Sequence, residues 1–377
     1  MKIMHLADLH IGKNVNGFSM LPEQEYVLDQ ILNIVKEENV DGVLLAGDLY
    51  DRPVPSAEAV TLMDRFLTAL SGFGVFVIAI SGNHDSPERI QYMSGMLKEQ
   101  RMYLNGRFQV PMEKITLEDG YGPVHFYLLP FARPAVMAAC MGTEDKTCGA
   151  CVKSLLERTS LNEKERNIIV LHHFVTGGGD IVEEMEGELA LGGTESVDVH
   201  FFDRFDYVAM GHIHRGQRLI RETVRYAGSP LKYSFSEEGH TKRAVLITLK
   251  DKGNAEIHFH ELMPRHDLRS IRGRLSDLID PEIVKLADPA DYLKVTLTDD
   301  TALLEPMKSL RAVYPNVMQL VLERTLTEGG GSRLTAGEVR RRTPKEMFRE
   351  FYTGVCGQEF TEEKEALLDE LLAGGAE

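Results

Sequence analysis

The chain has 377 residues, of which 43% are hydrophobic, and a formal net charge of -16. That length points to two or three domains with an ample core, and that charge argues against a protein that coats nucleic acid through its whole surface. No apolar run approaches the roughly 20 residues a bilayer span needs, and Met1-Lys2-Ile3-Met4-His5 reaches Asp8 too soon for a signal peptide, so a cytoplasmic protein with no membrane partner is expected.

Lys2 to Ala7 reads as a strand that delivers Asp8 and His10, whose i, i+2 spacing turns both side chains to one side if the backbone stays extended. Glu23 to Glu37 carries Tyr26, Val27, Ile31, Ile34 and Val35 at helical spacing, and Val43 to Ala46 is a buried strand ending in Gly47-Asp48. A second helix presents Val60, Met63, Phe66, Leu67 and Leu70, and the apolar run Val75 to Ile80 then ends in Ser81-Gly82-Asn83-His84-Asp85. Ser86-Pro87-Glu88 has the form of a capped helix start. Three strand ends about 35 to 40 residues apart thus carry metal-competent groups, the spacing of neighbouring parallel strands in an α/β sheet.

Ile90, Met93, Met96 and Leu97 mark a further helix, whose apolar face, with that of residues 60 to 70, could serve a homo-oligomer as well as the core. Val124 to Leu129 alternates as a strand, and residues 131 to 165 read as peripheral helices. Cys148-x-x-Cys151 lacks the second pair a zinc site needs and reads as reduced thiols. Asn167 to Leu171 is a buried strand ending in His172-His173; alternation lets one of the two face a site, and His172 is preferred. Gly177 to Asp180 reads as a loop. Tyr207 to Met210 leads to Gly211-His212-Ile213-His214, a second i, i+2 pair of ligand-type residues.

Val224 to Ala227, Ala244 to Leu249 and Ala255 to Leu262 read as closing antiparallel strands, with His258 and His260 as ordinary ladder side chains, and His5 as a packing histidine. Beyond residue 264 the pattern changes: strand-like runs at 271 to 275, 292 to 297 and 317 to 322, with a helix over 302 to 312, predict a small α+β cap domain. Glu328-Gly329-Gly330-Gly331-Ser332 reads as linker. The expected organisation is residues 1–264, a cap at 265–327, a linker at 328–342 and a helical tail at 343–377. In that tail Thr343-Pro344-Lys345-Glu346 opens one helix with Phe348, Phe351 and Tyr352 on a face, and Thr361 opens another with Leu367, Leu368, Leu371 and Leu372.

The strand ends together supply Asp8, His10, Asp48, Asn83, His84, His172, His212 and His214. Mixed O and N ligands suit Mn²⁺, Fe²⁺ or Zn²⁺ and disfavour calcium, and the number exceeds one ion. Divided around Asp48 as a bridge, they give Asp8, His10, Asp48 and His214 for one ion and Asp48, Asn83, His172 and His212 for the other. Two divalent ions and two aspartates carry about +2, a charge that favours phosphate and bound hydroxide and so phosphoester hydrolysis. His84 is left to bind the phosphate or protonate the leaving group, with Asp85 orienting its ring.

Leu6-Ala7-Asp8-Leu9-His10, Ala46-Gly47-Asp48-Leu49-Tyr50-Asp51, Gly82-Asn83-His84-Asp85, Gly211-His212-Ile213-His214 and Tyr226-Ala227-Gly228-Ser229-Pro230, in that order, resemble the calcineurin-like metallophosphoesterase superfamily, and within it the bacterial SbcD nuclease subunits. The resemblance covers residues 1 to about 262 and, more loosely, the cap and tail. It implies an α/β fold, a β-sandwich flanked by helices. It also implies a Mn²⁺-dependent double-strand exonuclease and single-strand or hairpin endonuclease that needs no ATP of its own. Its partners would be DNA and the SbcC ATPase, within a heterotetramer built on a homodimer. Some relatives carry a histidine three residues after the bridging aspartate, where this chain has Asp51. A small-molecule phosphodiesterase would share every ligand, and a non-catalytic scaffold could share the fold.

Overall fold

The computed structural model describes residues 1–177, 196–301 and 303–323, together with 345, 348, 349, 352, 360, 361, 364, 365 and 368. Residues Met1–Leu297 and Leu303–Val321 form one compact unit; Thr298–Ala302 and Leu322–Glu377 form a second.

Two six-stranded sheets face each other in the first unit. One runs in the order Ala255–Glu261, Arg243–Leu249, Lys2–Leu6, Gly42–Ala46, Phe76–Ile80, Met102–Asn105, the last four strands parallel. The other runs Gln217–Leu219, Arg221–Tyr226, Tyr207–Met210, Arg166–Leu171, Gly122–Leu129, Glu113–Asp119, with the middle four parallel. The apolar strands are buried on both sides, as strands covered by a sheet and a helix must be. Ile3, Leu44, Phe76 and Ile78 meet Phe126, Ile168, Val170 and Tyr207 between the sheets. Alternate residues, Met4, Val43, Leu45 and Val77, turn outward under Leu21–Glu37 and Ala57–Gly72. Pro134–Met141 and Cys148–Glu157 cover the second sheet in the same way, with Cys148 and Cys151 buried among its apolar side chains. None of the helices among the described residues is long and apolar enough to cross a membrane.

Several expectations are corrected. Tyr26 and Val60 lie off the buried helical stripes, 44% and 45% exposed. Residues 87 to 97 form two short helices, Pro87–Gln91 and Ser94–Leu97, broken where Met93 takes a positive φ, so that Met93 and Met96 face outward while Ile90 is buried. Ser86 does cap the first of them, accepting from the Arg89 N–H. Arg221–Tyr226 is parallel to Tyr207–Met210 and antiparallel only to the short Gln217–Leu219, so it extends the second sheet as well as closing it.

The segment expected as a cap forms a three-stranded sheet, Leu268–Gly273, Tyr292–Leu297 and Val317–Leu322, with the short helix Pro306–Arg311 over its own core of Leu278, Leu293, Val295 and Leu310. Buried Glu23 joins it to the main helical layer, accepting from the backbone N–H groups of Arg265 and His266 and contacting the His266 ring at 2.7 Å. The expected linker, residues 328–342, and residues 178–180 of the glycine loop lie outside the described residues. In the second unit Phe360 packs edge-on against Phe348 and Tyr352, and Lys345 and Arg349 pair with Glu365. Among the described residues, the first amphipathic segment of the tail thus touches Phe360, just before the second, and pairs with Glu365 within it. Thr343, Pro344, Glu346, Phe351, Leu367, Leu371 and Leu372 lie outside the described residues.

Candidate active site

The parallel strands stop at Leu6, Ala46 and Ile80 in the first sheet and at Leu171 and Met210 in the second, and each is followed by a candidate ligand in the loop that begins there. All the candidate residues therefore gather at one end of the sandwich, where open α/β sheets place their sites. Asp8 and His10 converge by a means other than extended alternation. Both have left-handed backbones, φ 53° and 45°, as do Asp48 at 51° and, more openly, His212 at 101°. Such conformations cost on the order of 1–3 kcal/mol each and persist where surrounding bonds enforce them. Here Asp8 N–H donates to the Gly47 carbonyl and His10 N–H to the Asp48 carbonyl, stitching one strand end to the next.

Glycines make the close approach possible. Gly47 has φ 89°, and a Cβ there would run into the His172 ring; a Cβ on Gly82 would strike the Asp48 carboxylate.

Three overlapping groups, Asp8–His10–His214, Asp8–Asp48–His172 and His10–Asp48–His84, each bring ligand atoms within 4.8 Å of one another. His10 Nε2 and His214 Nε2 face each other at 2.9 Å. His172 Nε2 lies 3.0 Å from Asn83 Oδ1 and 3.3 Å from Asp48 Oδ2, and His212 Nδ1 lies 3.1 Å from the same Asn83 oxygen. All seven expected ligands and His84 are thus brought together, with Asp48 between the two halves. His172 turns its ring into the cluster; His173 turns away, buried against Phe131 with neither ring nitrogen hydrogen-bonded.

The donor set suits divalent cations. Asp8 Oδ1 accepts from the His212 N–H, but its buried Oδ2 has no hydrogen-bond partner, and burial lifts the carboxyl to about 6 against the pull of His172 and His214. Burial alone would depress His172, yet the Asp48 charge and hydrogen bond outweigh it and raise the imidazole to about 9. Burial opposes the Asp48 charge too, and His172 overcomes it, holding that carboxyl well below the usual range. His172 Nδ1 points at the Ala46 carbonyl at 2.7 Å, so its ring donates both ways only as an imidazolium. A divalent cation would take the place of that second proton, and Asp8 with its unpartnered oxygen is among the residues that would hold it.

Asp85 does not orient His84. Its carboxylate accepts from the backbone N–H groups of Gly82, Leu49 and Tyr50, which fixes the 82–85 turn against the Asp48 loop. Asp85 sits in a low dielectric beside Asp48, and burial first, then that neighbour, raises it to about 6. The His84 ring is held instead by the Asp51 carbonyl, 2.9 Å from Nδ1, and its backbone N–H donates to Asp48 Oδ1. Asp51, at the position where some relatives carry histidine, directs its carboxylate to Lys13 at 2.7 Å and lies 3.7 Å from His10 Nδ1.

Four supporting residues carry no signal of their own in the sequence. Buried Glu237 contacts His214 Nδ1 at 3.1 Å and Lys242 Nζ at 2.5 Å, fixing the tautomer that leaves Nε2 for a cation. Lys242 also donates to the His214 carbonyl and to Ser229 Oγ, so the Gly228-Ser229 turn of the fifth motif shapes the rear of His214. Gln24 and Tyr233 bind the carbonyl groups of Leu9 and His10. Apart from the Glu237–Lys242 pair, their partners lie from 13 to 224 residues away, which no local pattern records.

A family model described as calcineurin-like phosphoesterase matches residues 1–216, and one described as type 5 capsule protein repressor C-terminal domain matches residues 264–355. The chain is 30% identical, over 99% of its length and 98% of the relative's, to the SbcD nuclease of the SbcCD complex from Staphylococcus epidermidis. Among solved structures, a dimetal phosphatase from Danio rerio is similar at TM-score 0.43 and 12% identity, over 70% of this chain and 97% of that one. A Thermus thermophilus protein is similar at TM-score 0.39 and 13% identity, over 68% and 98%.

Proposed function

From a chain that belongs to the calcineurin-like phosphoesterase family, and over its full length to the SbcD nucleases, we propose a Mn²⁺-dependent DNA nuclease. In this reading it is a double-strand exonuclease and a single-strand or hairpin endonuclease. The observation that carries the chemistry is the largely buried, convergent set of two carboxylates, one amide oxygen and five imidazoles, in which a buried Asp8 oxygen has no hydrogen-bond partner. Asp8, His10, Asp48 and His214 would hold one ion and Asp48, Asn83, His172 and His212 the other. Two such ions supply a nucleophilic hydroxide near neutral pH and positive charge for the phosphoryl oxygens.

The protein's own groups do the rest. His84, whose ring is positioned through Nδ1 on the Asp51 carbonyl, would act as the general acid that protonates the leaving oxygen. The choice of Mn²⁺ and of DNA rests on the full-length relationship and on the mixed O and N donor set.

We further propose the partners that this relationship suggests: an SbcC-type ATPase engaging residues 343–377, and a second copy of this chain. For the latter the exposed apolar side chains Val60, Tyr92, Met93 and Met96 offer a surface.

The decisive experiment combines metal analysis with cleavage of linear duplex, circular single-stranded and hairpin DNA, alongside bis-p-nitrophenyl phosphate. The reading requires about two bound ions per chain and DNA cleavage that chelation abolishes and Mn²⁺ restores. Hydrolysis of the small ester without DNA cleavage supports a small-molecule phosphodiesterase. Two bound ions with neither activity supports a scaffold.

A further inference from the structure

Lys242, whose ammonium group holds the His214 carbonyl, also lines a cavity of about 250 Å³. The lining includes Arg215, Arg225, His240, Arg243 and Phe259 besides Lys242, with no aspartate or glutamate among the described residues. In a chain with 58 acidic and 42 basic residues, this is a marked local reversal of charge.

Among the described residues, Arg225 and Arg243 are the incompletely neutralised charges. Lys242 is matched by Glu237. Arg225, 6% exposed, pairs with Glu222 at 3.0 Å, but Glu222 also serves Arg218 at 2.7 Å, and Arg225 Nε has no hydrogen-bond partner. The Arg225 guanidinium lies 4.5 Å over the Phe259 ring, with that of Arg243 at 5.8 Å from the same ring. Arg243 is exposed and makes no ion pair among the described residues. The field registers on His240: burial first, then the positive charges of Lys242, Arg215 and Lys232, lower its pKa against the opposing pull of Glu237.

We propose that this cavity binds a phosphate group, taken from solution as orthophosphate, from a mononucleotide or from a nucleic-acid strand. Guanidinium groups match phosphate geometry through paired N–H donors, and a half-buried site without carboxylates returns more of the Coulombic attraction than an open surface does. Phe259 holds the two arginine heads over one ring and so limits the side-chain freedom lost on binding. The cavity shares Lys242 with the support of His214 but contains none of the candidate metal ligands, and the proposal does not depend on the nuclease reading.

The test uses the full chain treated with EDTA, so that the metal cluster does not itself take phosphate. Calorimetric titrations with orthophosphate, a 5′-mononucleotide and a short single-stranded oligonucleotide are compared at constant ionic strength for the unmodified protein, Arg243→Gln and Arg243→Glu. Binding by the unmodified protein should weaken by about tenfold in Arg243→Gln, the scale of one charge-assisted hydrogen bond, and further in Arg243→Glu. The tightest of the three ligands identifies the source. With metal restored, both variants should hydrolyse bis-p-nitrophenyl phosphate at the unmodified rate. Absence of binding in the unmodified protein, equal affinity in all three proteins, or loss of small-ester turnover in the variants would each overturn the proposal.

Discussion

Gln24 donates from Nε2 to the carbonyl of His10 at 2.8 Å, fourteen residues upstream on another element. The same amide reaches the Leu9 carbonyl at 3.3 Å and the Tyr233 hydroxyl at 3.0 Å, and its Oε1 accepts from the Gly12 N–H. One buried side chain thus closes the backbone groups of a loop in which two non-glycine residues adopt positive φ, the condition under which such strain is retained.

Replacement of Gln24 by Leu should therefore loosen Asp8 and His10 together. A residue that orients ligands through the backbone is expected to cost roughly 10- to 100-fold in metal affinity when removed, comparable to other supporting partners of a metal site. Titration of Mn²⁺ into the apo protein measures this. Unchanged affinity in a folded variant refutes the positioning role.

The Glu237–Lys242 pair should reveal itself as a non-additive couple. Glu237→Ala strands a buried ammonium and should destabilise by roughly 3–5 kcal/mol, whereas Glu237→Leu with Lys242→Met should recover most of that loss while leaving His214 without its support. Denaturant melts of the single and double variants give the coupling, and metal titration of the double variant separates stability from ligand orientation.

At the centre, His84→Gln should retain both ions and lose about 10²- to 10⁴-fold in turnover, the worth of a general acid. Asp48→Asn should lose metal as well. His172→Ala should empty one position, while His173→Ala should keep both ions and lose only packing. A metal-free His84 variant, or equal metal loss at 172 and 173, would refute these assignments.

Buried His5 makes acid sensitivity of the fold testable. Its ring contacts the Tyr207 hydroxyl at 3.0 Å, and burial, aided by the Arg225 charge, depresses it from 6.5 to about 3. The folded state excludes a proton that the unfolded chain accepts. The contribution is therefore complete above pH 6.5 and is lost as pH falls from 6.5 toward 3, at a slope of up to about 1.4 kcal/mol per pH unit. His5→Gln, which keeps a hydrogen-bonding group without titrating, should flatten that part of the stability profile measured by urea melts; an unchanged slope contradicts it.

Truncation after Arg342 should leave cleavage of single-stranded DNA intact and abolish co-purification with an SbcC-type ATPase. Full retention of the ATPase by the truncated chain refutes the docking assignment. Precipitation would instead mark the tail as covering apolar surface of this chain.

The amino-acid sequence by itself determined where chemistry could occur. Asp8, His10, Asp48, Asn83, His84, His172, His212 and His214 follow apolar strands at βαβ spacing, and strands of that kind end on one edge by topology alone. Alternation within Leu171-His172-His173 limited the inward-facing position to one of the two histidines, because a period of two is a local property of the backbone, and the tertiary structure turns His172 into the cluster. The role of Asp85 is not legible there, since its three backbone N–H partners come from Gly82 and from a loop some 35 residues upstream, and only folding brings that loop within reach. The left-handed turns at Asp8 and His10 are equally hidden: nothing local compels a non-glycine residue into positive φ, and it is Gln24, Tyr233 and the Gly47–Asp48 backbone that do so. The Glu237–His214 contact and the cationic cavity belong to the same class. Hydrogen bonds and charge pairs form between residues distant in sequence, and their identity is set by which loops the sheet register places side by side.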